Sequence, residues 1–128
     1  MITNAGRDFQ ARVMGDPASS GQGNYASASW IALSTDVTAE DASRTTLPGE
    51  VTGGSMGRQQ AAYAHVLGTD VYTLTTTFTA DRQVEIAKYG VFNAQTGGSL
   101  MFEKLLDESV SLSVGETVQI VDTVDLNS

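Results

Sequence analysis

Residues 53–57 carry the one stretch of the sequence that matches a catalytic motif. They read G-G-S-M-G, which fits the G-x-S-x-G nucleophile elbow and makes Ser55 the candidate nucleophile. That elbow works at a sharp turn from a strand into a helix, with a histidine as its base. After Gly57 the sequence predicts a strand, and the single histidine, His65, lies on it. We therefore interpret residues 53–57 as a glycine loop that enters a strand, and His65 as a surface or interface residue.

Carboxylates are the second group of side chains that could act chemically. They fall in two groups, one in a long predicted loop and one beside a predicted hairpin: Asp36, Glu40 and Asp41, then Asp107 and Glu108. Neither group has the spaced oxygen pattern of a calcium loop, so we interpret both as solvated turn residues, with a weak cation site as the less favoured alternative. A pair of acids for glycoside hydrolysis stays open, because the separation of two carboxylates is a property of the fold.

Aromatic side chains offer a binding function instead. Trp30, Tyr25, Tyr63 and Tyr89 could form a platform for the face of a sugar, although such residues more often lie in a core or at its rim. The chain has no cysteine and one histidine, which excludes thiolate nucleophiles and zinc sites. We predict no catalytic, cofactor-binding or metal-binding residues, and a structural or binding protein rather than an enzyme.

Length and charge narrow the class further. At 128 residues, 41% hydrophobic and 17% charged, the chain is expected to form a single globular domain. A net charge of −8 with seven basic residues argues against binding to nucleic acid or to an anionic membrane. Apolar runs of four or five residues are too short to span a bilayer, and the first residues lack the pattern of a secretion signal. We expect a soluble protein.

The elements that position these residues are organised around a predicted hairpin. Residues 84–93 and 100–106 are rich in Val, Ile, Tyr, Phe and Leu, and they are joined by a turn containing Gly97 and Gly98. Since a lone hairpin is unstable in water, further strands must pack on it.

The remaining chain supplies a helix and several strands. A helix at about 4–14 is capped by Thr3 or Asn4, carries an apolar stripe of Ala5, Phe9 and Val13, and covers an end or edge of the fold. Strands are expected at residues 30–33, 55–66, 72–79, 110–114 and 118–126, with surface loops at 18–27 and 34–54 and a brief strand near 46–51. The alternation in 72–79 and 118–126 places one face inward.

Strands separated by turn signals predict an all-β fold, an antiparallel β-sandwich (Ig-like or jelly-roll-like) or a partly closed barrel, with strands from about 29 to 126.

The hairpin and its surroundings resemble a known family. The run K-Y-G-V-F-N-A-Q-T-G-G-S-L-M-F, the closing S-V-G-E-T-V-Q-I-V and the opening I-T-N-A-G-R are similar to those of small tailed-bacteriophage virion proteins. Proteins of that group are described as head decoration, minor structural or tail-fibre proteins. The resemblance implies a non-enzymatic part of the virion.

Within that family, we expect a capsid decoration protein that binds the major capsid protein on the capsid exterior and stabilises the shell. It would be made in the cytoplasm of the bacterial host and act as a homo-oligomer, a trimer or dimer. A sheet edge, the N-terminal arm or the loop at 34–54 would supply its contacts. The alternative is a tail or head fibre component that binds a host receptor or glycan through residues such as Tyr25 or Trp30.

Overall fold

Seven strands, one α-helix and one 3-10 turn make up the regular structure of the described residues. The computed structural model describes residues 1–15 and 27–125. The elements are α1 (Asn4–Gly15), β1 (Trp30–Ser34), β2 (Gln59–Gln60), β3 (Ala62–His65), β4 (Val71–Thr79), β5 (Val84–Phe92), β6 (Leu100–Leu112) and β7 (Thr117–Asp125). Most of the predicted loop at 18–27 and the final residue of the predicted last strand, Leu126, lie outside the described residues.

The strands form two antiparallel sheets that pack face to face. The first sheet has the order β2-β1-β5-β6 and the second has the order β3-β4-β7. The chain passes from one sheet to the other between β2 and β3, between β4 and β5, and between β6 and β7. The predicted all-β antiparallel sandwich is thus confirmed.

The main core lies between the two sheets. The first sheet contributes Ile31, Leu33 and Val91, and the second contributes Leu74, Phe78 and Ile120. The predicted alternation holds in β4 and in β7, where outward positions such as Thr77 and Thr123 are exposed. In β4 and β7 one face is therefore turned toward the core and the other toward solvent, whereas all four residues of β3 are exposed.

The first sheet is buried on its outer face as well. Ala32, Leu47, Phe92 and Leu100 form a second apolar cluster there, with Trp30 packed against it. The loop at residues 35–58, which follows β1, contributes Leu47 to this cluster. Because both faces are covered, β1 and most of β5 read as continuous apolar runs rather than alternating ones.

The predicted hairpin is formed by β5 and β6. At its turn, Gly98 has φ of 70°, and a Cβ there would lie 2.7 Å from Asn93 Oδ1, the atom that accepts the N–H of Ser99. The prediction of a separate strand at 110–114 is wrong, because β6 runs on to Leu112. A register irregularity opposite residues 86–88 of β5 lets pairing continue past Asp107 and Glu108.

The single strand predicted at 55–66 is also wrong. Residues 54–56 form a 3-10 turn, β2 joins the first sheet and β3 joins the second. Between these strands Ala61 is buried and donates its N–H to Ser29 O at 2.8 Å, which directs the chain into the core. In place of the brief strand near 46–51 there is one isolated bridge, between Ser34 and Glu50.

Helix α1 begins as the sequence predicts and lies against β6. Thr3 caps it, since the N–H of Gly6 donates to Thr3 Oγ1 at 3.0 Å. A side chain at Gly6 would collide with Met101 O, so the glycine allows the helix to approach the strand closely. Phe9 of the predicted stripe is half-buried, and the Val13 side chain lies outside the described residues. In residues 1–15 and 27–125, no helix is long and apolar enough to cross a membrane.

Replacing Phe78 tests the inter-sheet core. Phe78 is fully buried at the centre of that core, so Phe78→Ala is expected to lower the free energy of unfolding by about 3–5 kcal/mol. The matched control, Thr77→Ala, changes an exposed neighbour on the same strand and should cost no more than about 1 kcal/mol. Urea unfolding of both variants measures the difference, and equal losses would contradict this description of the core.

Candidate functional site

Ser55 is held by the last residue of β4 and by the side chain of Asp81, which follows that strand. Its Oγ donates to Thr79 O at 2.7 Å, and its N–H donates to Asp81 Oδ2 at 3.2 Å. After the 3-10 turn the backbone of Gly57 is extended and leads to β2 rather than into a helix. The strand-to-helix geometry of a nucleophile elbow is not formed at this position.

His65 lies at the far end of the second sheet from Ser55. Its Nδ1 is 2.9 Å from Val71 O, at the start of β4, whereas Ser55 contacts Thr79 at the end of the same strand. Eight residues of extended chain span about 26 Å. The structure does not bring these two candidate residues together.

Four charged side chains meet on the outer face of the first sheet. We call them the Lys88 cluster, and its members are Lys88, Glu103, Asp36 and Arg44. Lys88 is fully buried, and its Nζ lies 2.9 Å from Glu103 Oε2 and 2.6 Å from Asp36 Oδ2. Arg44 donates to Glu103 and lies 3.6 Å from Asp36 Oδ2. The two positive and two negative charges balance, as a buried ionic group requires.

Backbone hydrogen bonds attach the loop at 35–58 to this cluster. The N–H of Asp41 donates to Glu103 Oε1 at 2.9 Å, and Glu40 Oε2 accepts the N–H of Leu105 at 3.0 Å. The N-terminal ammonium of Met1 donates to Glu103 O at 2.7 Å. The loop and the first residues are therefore both bound to β6.

A second arginine secures the end of the same loop. Arg58 binds Glu50 through Nε and Nη2, at 2.8 and 3.1 Å. Its Nη1 donates to Ala94 O and Gly97 O in the hairpin turn, at 3.1 and 2.8 Å. The guanidinium carbon lies 3.4 Å from the centre of the Phe92 ring, a cation–π contact. The predicted long loop is thus bound to the sheet at both ends.

The charges of the cluster shift the pKa of its acids downward. The hydrogen bond from Lys88 is the main reason that the pKa of Asp36 falls to about 2. Burial raises the pKa of Glu103, but hydrogen bonds from the Asp41 N–H, Lys88 and Arg44 outweigh burial and hold that pKa below its usual value. Lowered values mean that the stabilisation is present at neutral pH and is lost as the pH falls through them.

The interpretation of the acids as solvated turn residues is wrong for Asp36 and Glu40, but it holds for Asp41, which is exposed and accepts hydrogen bonds from Ser43. Asp36 and Glu40 bind the groups described above, whereas Asp107 and Glu108 are exposed but lie inside β6 rather than in a turn. Among residues 1–15 and 27–125, no group of three or more Asp, Glu or His side chains could hold a metal ion. The missed signal is Lys88 itself, a charged residue between the buried residues 86–87 and 89–92 of β5.

The proposed aromatic platform is not assembled. Trp30 packs on the outer apolar cluster, Tyr89 is buried, and Tyr25 lies outside the described residues. Tyr63, which is 63% exposed, instead pairs with Tyr72 at 5.5 Å between ring centres. These two rings line a groove of about 610 Å³ that also includes residues of α1.

The carboxylate of Asp122 is buried between the two sheets, beside the edge strands β6 and β7. Tyr89 donates its hydroxyl to Asp122 Oδ1 at 2.6 Å, while Asp122 Oδ2 is buried without a hydrogen-bond partner. Burial raises the pKa of Asp122, and burial with the nearby Asp122 charge raises the pKa of Tyr89. The two residues line a cleft of about 680 Å³ between β6 and β7, together with Lys104.

Removing the buried cation tests the Lys88 cluster. Lys88→Met leaves Glu103 and Asp36 with one cation, so we expect a loss of about 3–5 kcal/mol of folding stability. The double variant Lys88→Met/Glu103→Leu should recover most of that loss, because Asp36 and Arg44 remain as a neutral pair. Lys104→Met, at an exposed position of β6, is the control and should cost under about 1 kcal/mol. Chemical unfolding decides, and a double variant as unstable as the single one would refute the explanation.

Removing the tyrosine hydroxyl tests the buried carboxylate. Tyr89→Phe takes away a donor to Asp122, so the pKa of Asp122 should rise further and stability at pH 7 should fall by about 1–3 kcal/mol. A raised native pKa favours the protonated folded state, so this carboxyl opposes folding as the pH rises through that pKa. The loss caused by Tyr89→Phe should therefore be smaller below the native pKa of Asp122.

Carboxyl NMR titration measures the pKa of Asp122 in both proteins. Chemical unfolding at pH 7 and at a pH below that pKa measures the loss of stability. Tyr63→Phe, on an exposed ring, serves as the control. A loss of equal size above and below the native pKa of Asp122 would contradict the assignment.

Comparison with known proteins identifies the family. A protein-family model described as podophage GP4 fiber I protein gp80 matches residues 12–127. None of the curated proteins compared with the chain matches it. The family match confirms the resemblance to tailed-phage virion proteins that the hairpin motifs indicate. Because it spans nearly the whole sequence, the chain belongs to the family of the podophage GP4 fiber I protein gp80, a family of virion structural proteins.

Proposed function

We propose that this protein is a subunit of a fibre on the phage particle, and that it acts by binding other proteins rather than by catalysis. The observation that carries the proposal is the match of residues 12–127 to a fiber protein family. A fibre subunit needs a rigid fold with surfaces for its neighbours, and a two-sheet sandwich with a shared core provides both.

The environment of the reactive residues supports a non-catalytic role. Ser55 donates its hydroxyl to one backbone carbonyl, and His65 lies against another at the opposite end of β4. The charges of the Lys88 cluster bind one another and the backbone of the loop. In each case the side chains hold the fold together.

Attachment to the capsid is the second candidate. The observation that favours it is the compact shape of the described residues, whose strands all belong to one sandwich. A decoration protein on the capsid exterior would bury surface across neighbouring copies of the major capsid protein and stabilise the shell by mass action. The loop at 35–58 is bound at both ends and would present a fixed surface in such a contact.

Receptor binding by the fibre is a further part of this proposal. Trp30 is half-buried, so Tyr63, which is 63% exposed and packs against the half-buried Tyr72, is the better surface for a sugar ring. Screening the protein and a Tyr63→Ala variant on a glycan array tests this function separately from location.

Imaging of particles tests the location. We expect phage made without this protein to lack a fibre and to regain it when the purified protein is added, with density outside the capsid lattice. A control set of wild-type particles is heated in parallel with particles that lack the protein. Density spread over the capsid surface, together with lower thermal resistance of particles lacking the protein, would establish the decoration role instead. Particles unchanged in both respects would overturn both candidates.

A further inference from the structure

Two charged residues occupy inward positions at the edges of the two sheets. Asp122 follows Ile120 by two residues on β7, and Lys104 follows Phe102 by two residues on β6, so each shares a strand face with residues of the inter-sheet core. Lys104 also lies directly opposite Tyr89 of β5, whose side chain packs in that core. Charged groups in such positions are costly unless they reach water or a partner.

The sheets separate at this point and leave the cleft of about 680 Å³ between β6 and β7. A volume of this size falls in the range of small-molecule sites, roughly 300–1,000 Å³. Lys104 and Arg7 of α1 line the cleft and are exposed, whereas Asp122 lines it and is only 8% exposed. Two further acids line it: Glu103 directs its carboxylate into the Lys88 cluster, and Asp125 lies at the end of β7. The cleft therefore combines cations near solvent with a carboxylate at its inner end.

The carboxylate of Asp122 has an acceptor atom that the described chain leaves unused. Its Oδ1 accepts the Tyr89 hydroxyl at 2.6 Å, whereas Oδ2 is buried without a hydrogen-bond partner. A buried acceptor that is not paired costs folding free energy, and burial is the main reason that the pKa of Asp122 is raised. A cost of this kind at the inner end of a cleft indicates a site where a bound molecule supplies the missing donor.

The charges around the cleft restrict the chemistry of that molecule. An amine would pair with Asp122, but it would be repelled by Lys104 and Arg7. A simple anion would pair with the two cations, but it has no donor for Asp122 and would be repelled by its charge. A molecule that carries hydroxyl donors at one end and a carboxylate at the other satisfies both ends of the cleft. Phe102, which is half-buried, adds an apolar surface on which a ring can lie.

We propose that the cleft between β6 and β7 binds a sugar acid, a hydroxylated ring that carries a carboxylate, as in a uronic acid. A ring hydroxyl of the ligand donates to Asp122, its carboxylate pairs with Lys104 and Arg7, and its ring lies against Phe102. The cleft does not include Tyr63, so this site is separate from the receptor surface considered above.

An acidic peptide carries the same two kinds of group, N–H donors and carboxylates, but it fits the cleft less well. Each further backbone N–H and C=O of a peptide in the cleft would need a partner of its own. The hydroxyls of a sugar ring can both donate and accept, and those that Asp122 does not bind can remain in contact with water. We therefore favour the sugar acid, and a peptide-like acid serves as a competing probe.

Titration with three small molecules tests the ligand class. Sodium D-glucuronate carries both groups, D-glucose lacks the carboxylate, and sodium cyclohexanecarboxylate lacks the hydroxyls. In NMR spectra of isotope-labelled protein, we expect glucuronate to cause saturable shifts at Asp122 and Lys104, with a dissociation constant about ten-fold or more below those of the other two. Bound glucuronate should also lower the pKa of Asp122, because its hydroxyl donates to the charged form.

The same titrations define the results that would overturn the proposal. These are no saturable shift with glucuronate, shifts confined to residues outside the cleft, or equal affinity for the three molecules. Binding of N-acetylaspartate in preference to glucuronate would also overturn it, and would identify the cleft as a site for acidic peptides.

Two substitutions separate the roles of the carboxylate and the cation. Asp122→Asn replaces the open acceptor with a donor of the same shape and should weaken glucuronate binding about ten-fold or more. Lys104→Met should remove the preference for glucuronate over glucose while changing glucose binding by less than about two-fold. The matched control is Arg82→Met, which removes a positive charge from a residue that does not line the cleft and should change glucuronate binding by less than about two-fold.

Urea unfolding of each variant shows whether it is folded. Because Lys104 is exposed, its variant keeps the test decisive even if Asp122→Asn does not fold. Equal weakening by Lys104→Met and Arg82→Met would overturn the proposal. These outcomes concern the cleft alone, so their failure leaves the fibre location and the Tyr63 surface to their own tests.

Discussion

The burial of Lys88 is the constraint on which the first sheet depends. An ammonium group in the middle of β5, with no exposure to water, is stable only if anions and hydrogen-bond acceptors surround it. Glu103 comes from the next strand, but Asp36 and Arg44 come from the loop at 35–58, so that loop must cross the outer face of the sheet. Because the loop covers this outer face, the side chains there are shielded from water. The strands beneath the loop can therefore carry apolar residues on both faces.

The second sheet has no such cover on its outer face among the described residues. Its inner face supplies Leu74, Phe78 and Ile120 to the shared core, whereas its outer face is exposed and consists mainly of threonine. The first sheet has one long edge occupied by the N-terminal residues. In the part of the chain that the structure describes, the second sheet ends at β7, which pairs with β4 alone.

The parts of the fold that the sequence could predict depend on local patterns, and those it could not depend on distant partners. The hairpin, the inward alternation of β4 and β7, and the Thr3 cap can all be read from neighbouring residues. The burial of Lys88 cannot, because its partners are 15 and 52 residues away. The break at Ala61 likewise depends on Ser29, and β6 continues past an acidic pair that resembles a turn because a bulge absorbs the irregularity.

The charged residues are distributed unevenly between the interior and the surface of the molecule. Fifteen acids against seven basic residues leave the whole molecule repelling its own copies, and that repulsion is screened only beyond about 8 Å at physiological salt. The Lys88 cluster balances its own charges inside the fold and so adds nothing to the surface field. Among the described residues, the outward positions of β3, β4 and β7 include a single charged residue, Asp125 at the end of β7. The loop at 35–58, which the buried lysine holds over the first sheet, leaves this face uncovered, and an acidic surface would meet less repulsion there than elsewhere on so acidic a molecule.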